Sequence, residues 1–142
     1  MSAATTGRVG YLIKRAQAVL HDSMVEALDP HRLTVPQYAA LIALGEQPGL
    51  SNADLARRAF VTPQTMHAVL ADLESRELLI RHPHPEHRRV LKAELTRSGA
   101  RLLKTAGAAV DEVEERMLSA LSEPSRARLA AGLASCIDSL GH

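Results

Sequence analysis

Apolar residues fall at three- and four-residue intervals from about Gly7 to Leu28: Val9, Leu12, Ile13, Ala16, Leu20, Met24 and Ala27. Arg8, Lys14, Arg15, Asp22 and Glu26 lie mostly off that stripe, so the spacing predicts an amphipathic helix. It ends at Asp29-Pro30, because proline disfavours helical geometry in the residue before it. Three helix starts follow with repeating chemistry. Thr34 with Gln37 forms a capping box, and Leu33 and Tyr38 are spaced as a hydrophobic staple. Ser51 caps the next, with Asp54 in the box position and Leu50 stapled to Leu55. Thr62 caps the third, Pro63 fits its first position, and Val61 is stapled to Met66. The predicted helices are 35–45, 52–58 and 63–77. Only Ala59-Phe60-Val61 separates the last two, a helix-turn-helix spacing.

Leu79-Ile80 then opens a short apolar run, and His82-Pro83-His84-Pro85-Glu86-His87 reads as a proline-broken loop. Beyond it Leu91, Ala93 and Leu95 alternate with Val90, Lys92 and Glu94, the period of a half-buried strand. Two strands around such a loop make a β-hairpin. The predicted fold is therefore mostly α with a small β-hairpin wing (α+β), a winged helix-turn-helix. From Thr96 the period is helical again, with a stripe of Leu103, Ala106, Val110, Val113, Met117 and Leu121. After Ser122-Glu123-Pro124 a last helix carries Leu129, Leu133, Ile137 and Leu140. The expected organisation is one domain, 1–142, with a winged lobe at 33–99 and helical dimerisation segments at 1–30 and 100–142. Val9, Leu12, Ile13, Leu129, Leu133, Ile137 and Leu140 would be underburied in a lone chain, and twofold association would bury them.

The helix from Pro63 carries the most specific signal. With Met66, Val69, Leu70 and Leu73 inward, Gln64, Ala68, Ala71 and Ser75 point outward, flanked by Thr65 and His67. A surface needing only solubility usually carries Lys or Glu. This slim, uncharged one suits a DNA major groove, with Gln64 able to pair with adenine, Thr62 or Thr65 with a base or phosphate, and Ala68 able to meet a thymine methyl. Arg88 and Arg89, at the end of the hairpin loop, suit the negative potential of a minor groove.

Charge adds little, since 17 Lys and Arg face 16 Asp and Glu. The aromatic residues are Tyr11, Tyr38 and Phe60, too few for single-strand binding by base stacking. One cysteine, Cys136, excludes an internal disulfide framework, and its place beside Ile137 reads as a buried, inert thiol. No apolar stretch is long enough to span a bilayer, and the opening MSAATTGR lacks the apolar core of a signal peptide, so a cytoplasmic protein is expected. A Gly-rich phosphate loop, HExxH and GxSxG are all missing, so an enzyme is not expected.

The ordered set Leu33-Thr34-x-x-Gln37-Tyr38-x-x-Leu41, Ser51-Asn52-x-x-Leu55-Ala56, Val61-Thr62-Pro63-Gln64-Thr65 and Leu73-Glu74-x-x-x-Leu78 resembles the MarR family of bacterial transcriptional regulators. The wing Arg88-Arg89 and the closing Leu95-Thr96-x-x-Gly99 continue the resemblance over essentially the whole chain. It implies a homodimer that binds a pseudo-palindromic double-stranded DNA operator, as a repressor released by a small ligand or oxidant. The DNA-contacting set would be Ser51, Asn52, Thr62, Pro63, Gln64, Thr65, His67, Ala68, Arg88 and Arg89, with Ser51, Asn52 and the Arg57/Arg58 region on phosphates. Tyr11 and Tyr38 are candidates for an effector pocket between the dimer helices and the winged lobe, core filling being the other reading. Two departures stand out. The family wing usually reads Asp-x-Arg, the aspartate helping to fix the arginine, and here His87 precedes Arg88-Arg89. Many relatives also carry a basic residue where this chain has Ala68 and Ala71.

Two other functions fit parts of the pattern. A winged helix can serve as a protein–protein interaction module. The run His82-x-His84-x-x-His87 suggests a metal-responsive regulator, imidazole being a common transition-metal ligand. Polar wing residues beside DNA explain these histidines as well, and neither a metal site nor a cofactor is expected.

Overall fold

The structure is a computed structural model that describes residues 7–141. Met1–Thr6, most of the segment read as lacking a signal peptide, and His142 lie outside the described residues. The elements are α1 (Val9–Leu28), a 3-10 turn (Asp29–His31), α2 (Val35–Glu46), β1 (Leu50–Ser51), α3 (Asn52–Ala59), α4 (Pro63–Ser75), β2 (Leu79–Pro83), β3 (Leu91–Leu95), α5 (Arg97–Met117) and α6 (Glu123–Ser139). No helix among the described residues is long and apolar enough to cross a membrane.

The helix starts form as their sequences dictate. The boxes at Thr34/Gln37 and Ser51/Asp54 are both closed, and the Thr62 hydroxyl accepts from the Thr65 amide. The Ser51 hydroxyl also donates to Asp54 at 2.9 Å. That bond holds the Asp54 carboxyl below its ordinary range, helped by the Ser51 amide and the Arg57 guanidinium and opposed by partial burial.

The helix ends depart from expectation. Arg32, Phe60 and Glu77 all take left-handed backbone angles, with φ of 59°, 58° and 59°. Each sits in a paired closing turn: Leu33 and Arg32 donate to Leu28 and Asp29, Val61 and Phe60 to Ala56 and Arg57, Leu78 and Glu77 to Leu73 and Glu74. This is the arrangement that usually places glycine at the left-handed position. No glycine marks these three ends in the sequence, and the left-handed turn at Glu77 stops α4 at Ser75 rather than at 77.

The sheet is antiparallel, in the order β1-β3-β2. Ala93 pairs with Leu50 on one side and with Arg81 on the other, which makes β3 central. Sequence patterning expects only the hairpin, because the two residues of β1 also serve as the staple and cap of α3. The strand β2 runs through His82 to Pro83, where a loop is predicted; as an edge strand it tolerates a proline at its end. Of the expected buried alternation, Ala93 is buried and Leu95 half-buried, whereas Leu91 is exposed because the outer hairpin extends past the core.

The core lies in the winged lobe. Leu28, Leu41, Leu44, Leu55, Met66, Leu70, Leu73 and Leu79 are fully buried, drawn from the end of α1, from α2, α3, α4 and β2. The helix α5 docks through Ala106 and Gly99. A Cβ on Gly99 would stand 1.9 Å from the Leu78 carbonyl oxygen, so the first turn of α5 rests directly on the backbone. The outer helices are different. No residue of α6 is buried, and Val9, Leu12, Ile13, Leu129, Leu133, Ile137 and Leu140 are all exposed. Cys136 is exposed too, contrary to the buried thiol expected, because nothing among the described residues covers that side of α6.

Both the Gly99 approach and the Asp54 cap can be tested by substitution. Gly99→Ala is expected to lower unfolding free energy by about 1–3 kcal/mol, the scale of overpacking, in urea denaturation; an unchanged midpoint contradicts the close approach. The depressed Asp54 carboxyl contributes stability that is present above the ordinary carboxylate pKa and lost as pH falls through its lowered value. Wild type is expected to exceed Asp54→Asn at neutral pH by a few tenths of a kcal/mol and by no more than about 1 kcal/mol, because the partly exposed carboxyl is screened by solvent. That gap closes in acid, and thermal melts across pH measure it.

Candidate nucleic-acid interface

One side of α4 is welded to the core and the other is bare. Met66, Leu70 and Leu73 are fully buried, Val69 is half-buried, and Gln64, Thr65, His67, Ala68, Ala71 and Ser75 are exposed. Burial of each large side chain contributes about 1.5–3 kcal/mol. The stripe therefore outweighs any single polar contact in deciding which side faces outward.

Polar contacts then fix the rotation and tilt of the helix. At its start the Asn52 side-chain amide donates to the Pro63 carbonyl at 3.0 Å. Further along, the Gln37 amide, whose oxygen already caps α2, donates to Asp72 at 2.7 Å. Arg76 reaches the same carboxylate at 3.5 Å and the Arg32 carbonyl at 2.9 Å. This chain of contacts ties the end of α4 to the junction of α1 and α2. On the wing side, Arg81 is largely enclosed and gives two bonds, 2.9 and 3.2 Å, to one oxygen of Glu74. Gln37, Asp72, Glu74, Arg76 and Arg81 have no local signature as a set. Their pairings span up to 44 residues of sequence, so only the fold reveals them.

The expected site residues divide accordingly. A groove of about 400 Å³ between α3, α4 and the wing is lined by Ser51, Asn52, His67, Arg81, Arg89 and their apolar neighbours. Ser51 and Asn52 lie there with their side chains engaged in holding α3 and α4. The Ser51 hydroxyl is taken up by Asp54, and the Asn52 side-chain oxygen is buried without a partner. These two side chains thus brace the starts of α3 and α4 from within the groove. Thr62, Pro63, Gln64, Thr65 and Ala68 lie outside the groove on the exposed side of α4. The Thr62 hydroxyl bonds that of Thr65 at 3.0 Å. Gln64, Arg88 and Arg89 make no side-chain hydrogen bond or ion pair among the described residues, which leaves them available to a partner. Arg57 and Arg58 are exposed and pair with Asp54 and Glu46.

The wing histidines do not converge on one point. The His82 Nε2 stands 4.0 Å from Glu94, and the rings of His84 and His87 are 5.1 Å apart. No group of three metal-ligating side chains forms among the described residues. The tyrosines also lie apart. Tyr38 is buried beneath α5, where burial and then Asp111 push its hydroxyl pKa up. Tyr11 is exposed beside Arg8, Gly10 and Lys14. No described cavity is lined by both. A groove of about 590 Å³ runs between α1 and α5 along Ser23, Glu26, Ala27, Glu112, Val113 and Arg116.

Comparison with known proteins meets this geometry. The sequence profile described as "MarR family" matches residues 32–90. The HTH-type transcriptional repressor Rv2887 of Mycobacterium tuberculosis (strain ATCC 25618 / H37Rv) is 40% identical over 126 residues, spanning 89% of this chain and 91% of that protein. A crystal structure of the M. tuberculosis MarR family protein Rv2887 in complex with DNA superposes with a TM-score of 0.76 at 37% identity, covering 96% of this chain and 99% of the other. Its complex with salicylic acid gives a TM-score of 0.77 at 38% identity, covering 94% and 98%. Similarity of this extent, together with the braced helix-turn-helix and its wing, leads to one assignment: the chain belongs to the MarR family of transcriptional regulators.

Proposed function

We propose that the chain is a sequence-specific double-stranded DNA-binding repressor that acts as a homodimer on a pseudo-palindromic operator and is released by a small ligand. The observation that carries this reading is the exposed, slim, uncharged side of α4, held rigidly beside a wing with two free arginines. Gln64, Thr65 and His67 read base edges, with Ala68 allowing close approach. Thr62 and the positive end of α4 meet a phosphate, and Pro63 shapes that turn. Arg88 and Arg89 enter the flanking minor groove. Ser51 and Asn52 contribute through the helix starts they hold. A relative with a structure in complex with DNA supports this arrangement.

The dimer forms through α1, α5 and α6. An exposed apolar set on the outer helices, Val9, Leu12, Ile13, Leu129, Leu133, Ile137 and Leu140, calls for a cover, and a second copy supplies it by twofold symmetry. The segments 1–30 and 100–142 serve that association and 33–99 serves DNA. The two recognition helices then sit roughly 34 Å apart, one turn of duplex. A small effector binds where the helical frame meets the winged lobe, with Tyr38 and Tyr11 as the candidate residues although the two lie apart within one chain. Salicylic acid, bound by a relative, is the first compound to try. The protein works without enzymatic activity in the cytoplasm.

Three measurements test the proposal, each on the duplex that the wild-type chain enriches from a random-sequence pool. Gln64→Ala is expected to relax the choice at one base position, a loss of roughly 1–3 kcal/mol of discrimination; uniform weakening across sequences makes its role positional. Arg89→Ala is expected to reduce the slope of log affinity against log salt by about 0.9 for each phosphate that Arg89 neutralises, and an unchanged slope removes the wing. Leu133→Glu with Ile137→Glu is expected to give a monomer by light scattering and to abolish tight operator binding. A dimer that persists places the interface elsewhere.

A further inference from the structure

The hairpin tip raises a question that the family wing answers with an aspartate: what fixes the arginines when His87 stands in its place? The tip is a seven-residue connection, 84–90, between the paired residues Pro83 and Leu91. The Val90 amide donates to the His87 carbonyl at 2.8 Å, closing a β-turn whose two central residues are Arg88 and Arg89. The His84 amide donates to the Val90 carbonyl at 2.7 Å and closes the base of the loop. Inside it, the His84 Nδ1 accepts the amides of Glu86 at 3.0 Å and His87 at 3.2 Å. A single side-chain atom therefore holds the residue that begins the arginine turn.

From this geometry we propose that His84 is the positioning residue of the wing, a neutral imidazole whose Nδ1 fixes the backbone at Glu86 and His87 and so presents Arg88 and Arg89 to DNA. A ring nitrogen that accepts two amide hydrogens carries none of its own, so the proton of the neutral ring is on Nε2. The role matches that of Asn and Asp in short turns, where a side-chain oxygen accepts backbone amides just ahead in the chain. In asparagine that oxygen is bonded to Cγ, as Nδ1 is in histidine. Glutamine places its polar atoms one bond further out, closer to Nε2. The substitution series follows directly: His84→Asn keeps the acceptor, and His84→Gln and His84→Ala lose it. The same geometry occupies the ring nitrogen that a metal bound through Nδ1 would need.

The inference rests on the wing's proposed role on DNA, and the experiment separates the two. Long-range ¹H–¹⁵N spectra of the free wild-type protein are expected to show His84 as the Nε2–H tautomer; an Nδ1–H tautomer overturns the proposal whatever the wing does. On the duplex enriched by the wild-type chain, His84→Ala and His84→Gln are expected to weaken binding roughly tenfold, the scale of one charge-assisted hydrogen bond. Their salt slope falls by about 0.9 for each phosphate the wing no longer neutralises. His84→Asn is expected to restore both quantities. Wild-type affinity and slope in His84→Ala, or equal losses in Asn, Gln and Ala, overturn the proposal. Arg89→Ala is the control: full affinity there overturns the wing's role on DNA, while the tautomer still reports on His84.

Discussion

Burial of Met66, Leu70 and Leu73 beneath α4 is the constraint on which the interface depends. A helix cannot give the same side to a core and to a duplex. Sinking three large side chains fixes which residues face out, and truncating any one of them costs about 2–5 kcal/mol. The outward row is then Gln64, Ala68, Ala71 and Ser75 by rotation alone. Polar braces at Asn52, Asp72 and Arg81 contribute about 0.5–3 kcal/mol each, less than the apolar stripe as a whole. They do what dispersion does not: they specify the angle at which the helix leaves the lobe and couple it to the wing and to the end of α1.

That coupling gives the fold its two-part character. The winged lobe contains nearly all of the fully buried side chains, and α6 contains no buried residue. Arg32, at the junction after α1, receives Arg76 from beyond the end of α4 through its carbonyl. A short, named set of bonds thus links the end of α1 to the end of α4. In a dimer whose halves meet through α1, α5 and α6, that linkage connects subunit spacing to the presentation of α4.

Much of this was legible in the chain itself. Caps at Thr34, Ser51 and Thr62 are local chemistry, so the helix starts could be read directly, as could the inward stripe of α4 and its bare opposite side. The helix ends were harder, because Arg32, Phe60 and Glu77 adopt left-handed angles that sequence usually signals with glycine. The strand β1 was hidden because Leu50 and Ser51 already had a role as staple and cap. Leu91 followed the alternation of a buried face, yet the wing reaches past the core that would bury it. The braces were invisible for a different reason: Gln37 with Asp72, or Arg81 with Glu74, are ordinary surface residue types until the fold brings them together. Gly99 lies between these cases, present in the motif but explained only by the Leu78 carbonyl beneath it.

The central claim is that the bare side of α4 lies against base pairs in a major groove, doubled by a second subunit. Hydroxyl-radical and guanine-N7 footprinting on one enriched duplex tests it most directly. The predicted result is two major-groove protections centred roughly 10 base pairs apart, each flanked by minor-groove protection from a wing. A single protected patch, or protection of the backbone with every guanine N7 still reactive at a site rich in guanine, would contradict it.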